Sequence, residues 1–283
     1  MGINRLIMKI IKPAFKILEQ GEGMLGIFEQ IAECASTCYK SVPKKGEDAV
    51  TFVRKLIENK HTAMLEFGTV YLIIPASSDD YDFIWNKDKL IKILRDNPHT
   101  KIRYVSGAHA YYVTTNYRVI TEQVPEDLNP LQFRTSKTLQ HIPRYCVKLF
   151  TDIGVGRELC RHRNFSFAQE STRYCNFSAE RFGKELKFCL PNWGTEEELQ
   201  EFYPLSEIEK TYIKLVEGGM KPQDARYILP LGLATKICMC GFEEDWKHLF
   251  DLRVLDKTGP AHPDMKELIT PVYEEFKRRG YIK

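Results

Sequence analysis

The chain has 283 residues, of which 43% are hydrophobic and 12% aromatic, and this is enough to bury a substantial core. Its 41 basic and 38 acidic side chains leave a net charge of +3, which argues against a general coat for nucleic acid and makes any basic function local. The eight cysteines form no CxxC pair and no apolar run approaches the ~18 residues of a membrane span, so we predict free thiols, a cytoplasmic location, no signal peptide and no membrane partner.

The N-terminal part of the chain predicts strands and helices from its apolar periodicity. In chain order these are a strand over residues 7–18 broken near Pro13, helices over 24–40 and 47–59, a buried strand over 68–77, and a short helix over 86–97.

The middle of the chain is read in two pieces. Residues 109–122 alternate in polarity and predict a pair of strands that turn around Thr115 and Asn116. The polar stretch over residues 123–142 predicts a helix.

The remaining elements complete an α+β pattern. In chain order they are a strand over 144–154, a helix over 154–164, a short strand over 185–191, and helices over 196–218, 222–251 (irregular at Pro230) and 263–279. Strands and helices alternate without a regular βαβ repeat, which predicts a central, mostly antiparallel sheet flanked by helices. No linker or repeat interrupts the sequence, so residues 1–283 are predicted to form a single domain.

One short segment, "CRHRNFSFAQESTRYCNFS" at residues 160–178, concentrates positive charge. Arg161, His162, Arg163 and Arg173 are interleaved with aromatic residues, and such crowding is costly unless anions lie nearby. On a helix Arg161 and Arg163 diverge, which predicts two ligand groups rather than one. Further along, Ser166, Ser171 and Arg173 offer hydroxyls and a guanidinium to a phosphate.

Composition alone leaves other readings of this segment open. The arginines could pair with carboxylates at Glu158, Glu170 and Glu180, or they could form a nucleic-acid patch with stacking aromatics. Two apparent motifs are set aside. Cys238-Met239-Cys240 lacks metal-ligand spacing and reads as a buried helical segment, and Gly154 with Gly156 is too short for a dinucleotide fingerprint.

The arrangement Arg161-His162-Arg163, seven residues, then Ser171 is similar to the signature of the flavin-dependent thymidylate synthases. Further segments resemble this family in the expected order: "ASTCYKS" (35–41), "HTAMLEF" (61–67), "ARYILPLGLATK" (225–236) and "WKHLFDLR" (246–253). The resemblance covers essentially the whole chain, with residues 79–143 as an extended insertion.

The resemblance implies FAD-dependent methylation of dUMP to dTMP, with methylenetetrahydrofolate as carbon donor and NADPH as reductant. It also implies a homotetramer with shared active sites, and neither a metal nor a nucleic-acid partner. Arg253 is the implied catalytic residue, stabilising charge as uracil N3 loses its proton. The implied dUMP contacts are Glu158, Leu159, Cys160, Arg161, Gln169, Glu170, Ser171, Thr172, Arg173, Arg226 and Arg253. The alternative function is a non-catalytic nucleotide- or RNA-binding protein that uses the same arginines.

The resemblance also implies a flavin site, and here the chain departs from the family pattern. The implied FAD contacts are Ala63, Glu66, Arg161, His162, Arg163, Phe242, Glu244 and His248, with His61 in a loop that faces folate and flavin. Ala63 and Phe67 replace a hydroxyl residue and a histidine of the family. Residues 242–244 replace an Asn-x-Arg element, so this segment supplies no cation to the flavin diphosphate.

Overall fold

The computed structural model describes residues 9–77, 81–180 and 183–282. The strands of the described residues are β1 (Lys9–Ile11), β2 (Ala14–Leu18), β3 (Thr69–Pro75), β4 (Lys101–Val105), β5 (Ala110–Asn116), β6 (Arg134–Thr135), β7 (Arg144–Asp152), β8 (Ser166–Gln169), β9 (Lys187–Cys189) and β10 (Ala234–Phe242).

The helices complete the set of elements. They are α1 (Gly23–Tyr39), α2 (Gly46–Glu58), α3 (Tyr81–Arg95), α4 (Tyr117–Glu122), α5 (Ile153–Leu159), α6 (Glu196–Phe202), α7 (Leu205–Glu217), α8 (Pro222–Ala225), α9 (Glu243–Arg253) and α10 (Pro263–Arg278). Short 3-10 turns cover Thr62–Phe67, Ser106–Ala108, Glu126–Leu128, Pro130–Phe133 and Arg226–Ile228. Over the described residues, none of the helices has the length and apolar character needed to cross a membrane.

Two four-stranded antiparallel sheets organise the chain. The first has the order β2-β7-β10-β8 and the second the order β4-β5-β3-β6. β1 pairs separately with β9 in parallel. The predicted mixture of helices and antiparallel strands is confirmed, but the strands divide between two main sheets where the sequence predicted one central sheet.

Helix α1 connects the two sheets through its buried residues. Ile27 and Ile31 pack in the cluster that includes Leu72 and Val113 of the second sheet. Cys34, one turn later, packs with Cys146 and Cys240 of the first sheet. A helix with apolar residues on more than one face is expected where it is covered on both sides.

A cluster of aromatic residues packs helix α9 against the first sheet. Trp246 is fully buried, with its ring centroid 4.9 Å from that of Phe165 and 5.0 Å from that of Phe276. Its indole N–H donates to the Tyr145 carbonyl at 3.2 Å. Because α9 begins where β10 ends, this packing determines where the polar side chains of α9 lie.

Several predicted elements are wrong. Residues 222–251 are not one helix: the central strand β10 occupies residues 234–242, so Cys238-Met239-Cys240 lies in a strand rather than in a helix. Residues 109–122 are a strand followed by a helix, because the Asn116 side chain accepts from Val119 N–H at 3.0 Å and caps α4. β4 is the strand partner that the sequence reading missed.

Three predicted helices also differ from the structure. Residues 123–142 hold only 3-10 turns and the two-residue strand β6. The helix over 196–218 is interrupted at Pro204: α6 cannot continue through a residue without a backbone N–H, and α7 begins directly after it. The helix before the basic segment stops at Leu159. Residues 7 and 8 of the predicted opening strand lie outside the described residues; its remainder is β1 and β2, separated near Pro13.

Candidate active site

Arg161, His162 and Arg163 of the basic segment lie in a turn rather than on a helix. Asp152 caps α5 by accepting from Val155 N–H at 2.8 Å, and α5 ends at Leu159. Successive turn hydrogen bonds then run from Arg161 N–H to the Glu158 carbonyl (3.1 Å) and from His162 N–H to the Leu159 carbonyl (3.0 Å). A turn presents consecutive side chains in different directions. Arg161 and Arg163 are exposed, whereas His162 between them is half-buried.

His162 contacts two residues of helix α9. The Arg253 Nε–H donates to His162 Nε2 at 3.2 Å, although the two residues are 91 positions apart in sequence. The His248 ring lies edge-on to the His162 ring, with centroids 6.5 Å apart. The structure therefore brings together three residues that the resemblance assigned to the nucleotide and flavin sites.

The charge states of this cluster follow from its geometry. Arginine only donates hydrogen bonds, so His162 Nε2 must be the unprotonated nitrogen of a neutral ring. Burial, and then the charges of Arg253 and His248, lower the pKa of His162 to about 4. Among the described residues, Arg253 has this one acceptor, and its two terminal amino groups remain available to a ligand.

The low pKa of His162 predicts a pH dependence of stability. We expect the free energy of unfolding to decrease as the pH falls from about 6.5 to about 4, because only the unfolded chain readily protonates this ring there. Above pH 6.5 the contribution is fully present. Urea unfolding at several pH values should show a shallower decline in His162→Gln than in the parent chain. Equal slopes in the two proteins would contradict the assignment.

Ser171 and Arg173 lie in the loop that follows β8. The Ser171 hydroxyl accepts from Arg173 N–H at 3.2 Å, and Ser171 N–H donates to the Cys38 carbonyl near the end of α1 at 3.1 Å. Arg173 Nε–H donates to Gln223 Oε1 at 3.4 Å. Arg226 is exposed, three residues beyond Gln223. The loop thus joins α1, the basic segment and the chain around Arg226.

The other predicted nucleotide residues differ in their burial, and two of them contact protein side chains. Glu170 is buried, forms an ion pair with Lys40 at 3.6 Å, and has its pKa raised by burial against the opposing effect of Lys40 and Lys236. Gln169 Nε2 donates to Thr235 Oγ1 at 3.5 Å. Leu159 is fully buried, Cys160 is exposed, and Glu158 and Thr172 are half-buried.

Within the described part of the chain, the arginines of the basic segment form none of the predicted ion pairs with Glu158, Glu170 or Glu180. Glu170 pairs with Lys40, and Glu180 pairs with Lys184 at 3.4 Å. Across residues 9–77, 81–180 and 183–282, no carboxylate forms an ion pair with the four arginines predicted to bind ligands: Arg161, Arg163, Arg173 and Arg226. Their charge is left for solvent or for an anionic ligand.

Three predicted flavin residues line one cavity. Arg163, Phe242 and Glu244 border a space of about 340 Å³. Lys101 of β4 and Arg144 of β7 border the same cavity, and sequence reasoning missed both. The available signal for Arg144 was an arginine directly before the apolar strand "YCVKLF". No sequence signal joined Lys101 to this place.

The loop that was predicted to face folate and flavin is a 3-10 turn. His61 and Ala63 are exposed at its start. Glu66 at its end forms an ion pair with Arg118 at 2.7 Å, and Arg118 also pairs with Glu122 at 2.8 Å. The Glu66 side chain is therefore held by α4, while the exposed residues of the turn remain accessible.

Comparison with known proteins identifies similar chains. The Thymidylate synthase complementing protein family matches residues 128–279. A probable flavin-dependent thymidylate synthase of Paramecium bursaria Chlorella virus 1 is 27% identical over 180 residues, which cover 52% of this chain and 82% of the relative.

Archaeal relatives align over a shorter region. The flavin-dependent thymidylate synthase of Pyrococcus furiosus is 30% identical over 129 residues, covering 44% of this chain and 51% of that protein, so the match spans about half of its length.

The UMP/dUMP methylase PolB of Streptomyces cacaoi, solved with 5-Br UMP, gives a TM-score of 0.44 at 11% identity, covering 96% of this chain and 92% of that one.

Proposed function

Because this chain belongs to the thymidylate synthase complementing protein family, which is that of the flavin-dependent thymidylate synthases, we propose that it methylates dUMP to dTMP. The family match confirms the family and the enzyme class predicted from the Arg161-His162-Arg163 and Ser171 motif, rather than a non-catalytic binding protein. In the proposed reaction methylenetetrahydrofolate donates the carbon and NADPH supplies the reducing equivalents.

The contact between His162 and Arg253 is the observation that carries this proposal. The Arg253 Nε–H is held at 3.2 Å by a neutral imidazole, so the guanidinium plane is oriented without losing its charge. Its terminal amino groups can then meet a planar ligand with two acceptors. A uracil ring that has lost its N3 proton offers such an edge, flanked by two carbonyl oxygens.

The chemistry explains why this arginine matters. Uracil C5 is a poor nucleophile, and its electron density rises either by attack at C6 or by loss of the N3 proton. In the second route, a fixed guanidinium beside N3 stabilises charge that is largest in the transition state. A bound reduced flavin supplies the hydride that converts the transferred one-carbon group to methyl.

Two of the cysteines, Cys38 and Cys189, are poor candidates for a thiol nucleophile. Among the eight cysteines, all of which the structure describes, Cys160 alone is exposed. Burial raises the pKa of Cys38 to about 11 and that of Cys189 to about 12, which disfavours their reactive thiolate forms.

The residues around the site suit FAD. Arg163, Phe242 and Glu244 line one cavity together with further cations, and His162 contacts both Arg253 and His248. We assign the uracil to Arg253, the nucleotide phosphate to Arg161, Arg173 and Arg226 with Ser171, and the folate to the turn at His61. Exposed arginines without carboxylate partners in the described residues also suit sites completed by other subunits of a homotetramer.

The test is formation of dTMP by the purified chain. The assay contains dUMP, methylenetetrahydrofolate, NADPH and FAD, and each component is omitted in turn. We expect a yellow protein with dTMP formation that needs all four. Formation of dTMP without flavin, or binding of RNA in place of flavin, would overturn the proposal.

Ser171→Ala should weaken dUMP binding while it leaves FAD bound. Its hydroxyl lies in the same loop as Arg173, and a hydrogen bond to a charged acceptor contributes about 1.5–3 kcal/mol, so we expect roughly ten- to hundredfold weaker affinity. Calorimetric titration with dUMP measures the change. Ser178→Ala is a matched control, since that hydroxyl donates locally to Asn176 Oδ1. Unchanged dUMP affinity in Ser171→Ala would remove Ser171 from the site.

A further inference from the structure

The cavity beside the start of α9 collects charge from three separate parts of the chain. Lys101 comes from β4, Arg144 from β7, and Arg163 from the basic turn. Two carboxylates, Glu244 and Asp245, also border it. The cavity therefore holds three permanent cations against two acidic side chains.

One of the two carboxylates already accepts hydrogen bonds from the protein. Asp245 accepts from Phe242 N–H at 2.8 Å through one oxygen and from Asn164 Nδ2 at 3.1 Å through the other. These bonds fix the first turn of α9 and the end of the basic turn. The remaining carboxylate, Glu244, is more than half exposed and forms an ion pair with Lys101.

Arg144 forms no ion pair with a carboxylate among the described residues, and its hydrogen-bond acceptors are neutral. The residue is 8% exposed, and its guanidinium donates to the Glu66 carbonyl at 3.1 Å and to Thr69 Oγ1 at 3.4 Å. A buried guanidinium without a carboxylate is costly unless another anion compensates its charge.

Phe242 is enclosed by the same cations. The residue is 5% exposed, and Lys101 Nζ lies 5.7 Å and the Arg144 guanidinium carbon 5.6 Å from the ring centre. The ring thereby positions both cations at the cavity wall through cation–π contacts. This environment favours a role for Phe242 in holding the cations rather than in stacking on a ligand ring.

We propose that Lys101 and Arg144 bind the phosphate groups of the flavin dinucleotide in this cavity. The inference rests on the proposed function and names residues that supply the positive charge absent from residues 242–244. A phosphate oxygen pair suits the planar donors of Arg144 and Arg163, while Lys101 adds a point charge. Lys101 belongs to the region before residue 128, outside the family match.

The ion pair between Lys101 and Glu244 makes the proposal testable in both directions. A phosphate must compete with the Glu244 carboxylate for the Lys101 ammonium group. Lys101→Gln should weaken FAD binding by about ten- to hundredfold, since hydrogen bonds between charged groups are the strong ones. Glu244→Gln should strengthen it, because the competitor is removed while the side chain keeps its size.

The experiment measures flavin affinity by fluorescence quenching of the flavin-free protein. FAD and riboflavin are compared, because riboflavin has the same ring system and lacks phosphate. Lys89→Gln is the matched control, since Lys89 has an exposed ion pair with Asp127 at 4.0 Å and does not border the cavity. The expected result is a loss for FAD alone in Lys101→Gln, a gain for FAD alone in Glu244→Gln, and no change in Lys89→Gln.

The outcomes separate this inference from the proposed function. If the parent chain binds FAD and both variants bind it equally well, or if riboflavin is affected as strongly as FAD, the inference is overturned and the proposed function stands. If the parent chain binds neither flavin, both are overturned. Glu244→Gln keeps the test decisive should Lys101→Gln fail to fold, because its side chain is largely exposed.

Discussion

Arg253→Ala is expected to lower kcat by on the order of hundredfold or more while dUMP affinity changes far less. Removing one donor that acts on transition-state charge costs about 2.7–4 kcal/mol in comparable sites. Arg253→Lys should restore little, because an ammonium group cannot both reach His162 and present a planar pair of donors. Single-turnover measurements at saturating dUMP test this, and reduction of bound flavin by NADPH should survive.

The control addresses the simpler role of a cation at a helix end. Arg253 is the last residue of α9 and Arg278 the last residue of α10, so both face a helix C-terminus. Arg278→Ala should have only a small effect on stability and leave kcat unchanged. If Arg253→Ala behaves like Arg278→Ala, or loses only its flavin, Arg253 is not catalytic.

Trp246→Ala is expected to lower the free energy of unfolding by about 3–5 kcal/mol. The side chain is fully buried between Phe165, Phe250 and Phe276, and its loss leaves a cavity and removes the hydrogen bond to the Tyr145 carbonyl. Such a loss is a large share of the roughly 5–15 kcal/mol that stabilises a typical domain. Urea unfolding followed by circular dichroism measures it.

The effect should extend to the site, since α9 carries His248 and Arg253. Flavin and nucleotide binding should weaken along with stability in Trp246→Ala. Trp193→Ala provides the same change of side chain at a position that is 59% exposed, and its cost should stay below about 1 kcal/mol. Comparable losses in both variants would contradict the role given to the packing of α9.

Local patterns were sufficient for the elements with clear periodicity. The helices α1, α2 and α10 and the strands β3 and β7 lie within a few residues of their predicted ranges. These segments either expose one polar face or are short apolar runs bounded by polar residues, so their pattern has one interpretation.

The missed elements depend on contacts that a local window does not contain. β10 is central in its sheet and buried on both faces, so its residues do not alternate and its apolar run resembles part of a helix. In "NYRVITE" the β-branched residues favour a strand, yet the Asn116 cap starts a helix.

The residues of the candidate site could likewise be predicted only in part from the sequence. The family resemblance pointed to His162, Ser171 and Arg253 as separate residues, but not to the hydrogen bond between His162 and Arg253 across 91 positions. The sequence did not join Arg144 or Lys101 to the site, because only the tertiary fold brings β4, β7 and α9 to one cavity.

The strand order also determines when a growing chain can fold on the ribosome. The sheet β4-β5-β3-β6 draws only on residues 69–135, so its strands can pair once that stretch has emerged. The sheet β2-β7-β10-β8 needs β10 at residues 234–242, and β1 needs β9 at residues 187–189. During synthesis β2 therefore has no partner until β7 at residues 144–152 has emerged, and β1 has none until β9 has emerged. Such unpaired strands are prone to association with other chains. A nascent chain that stops before residue 234 can complete the early sheet, but it lacks the strand that leads to α9 and Arg253.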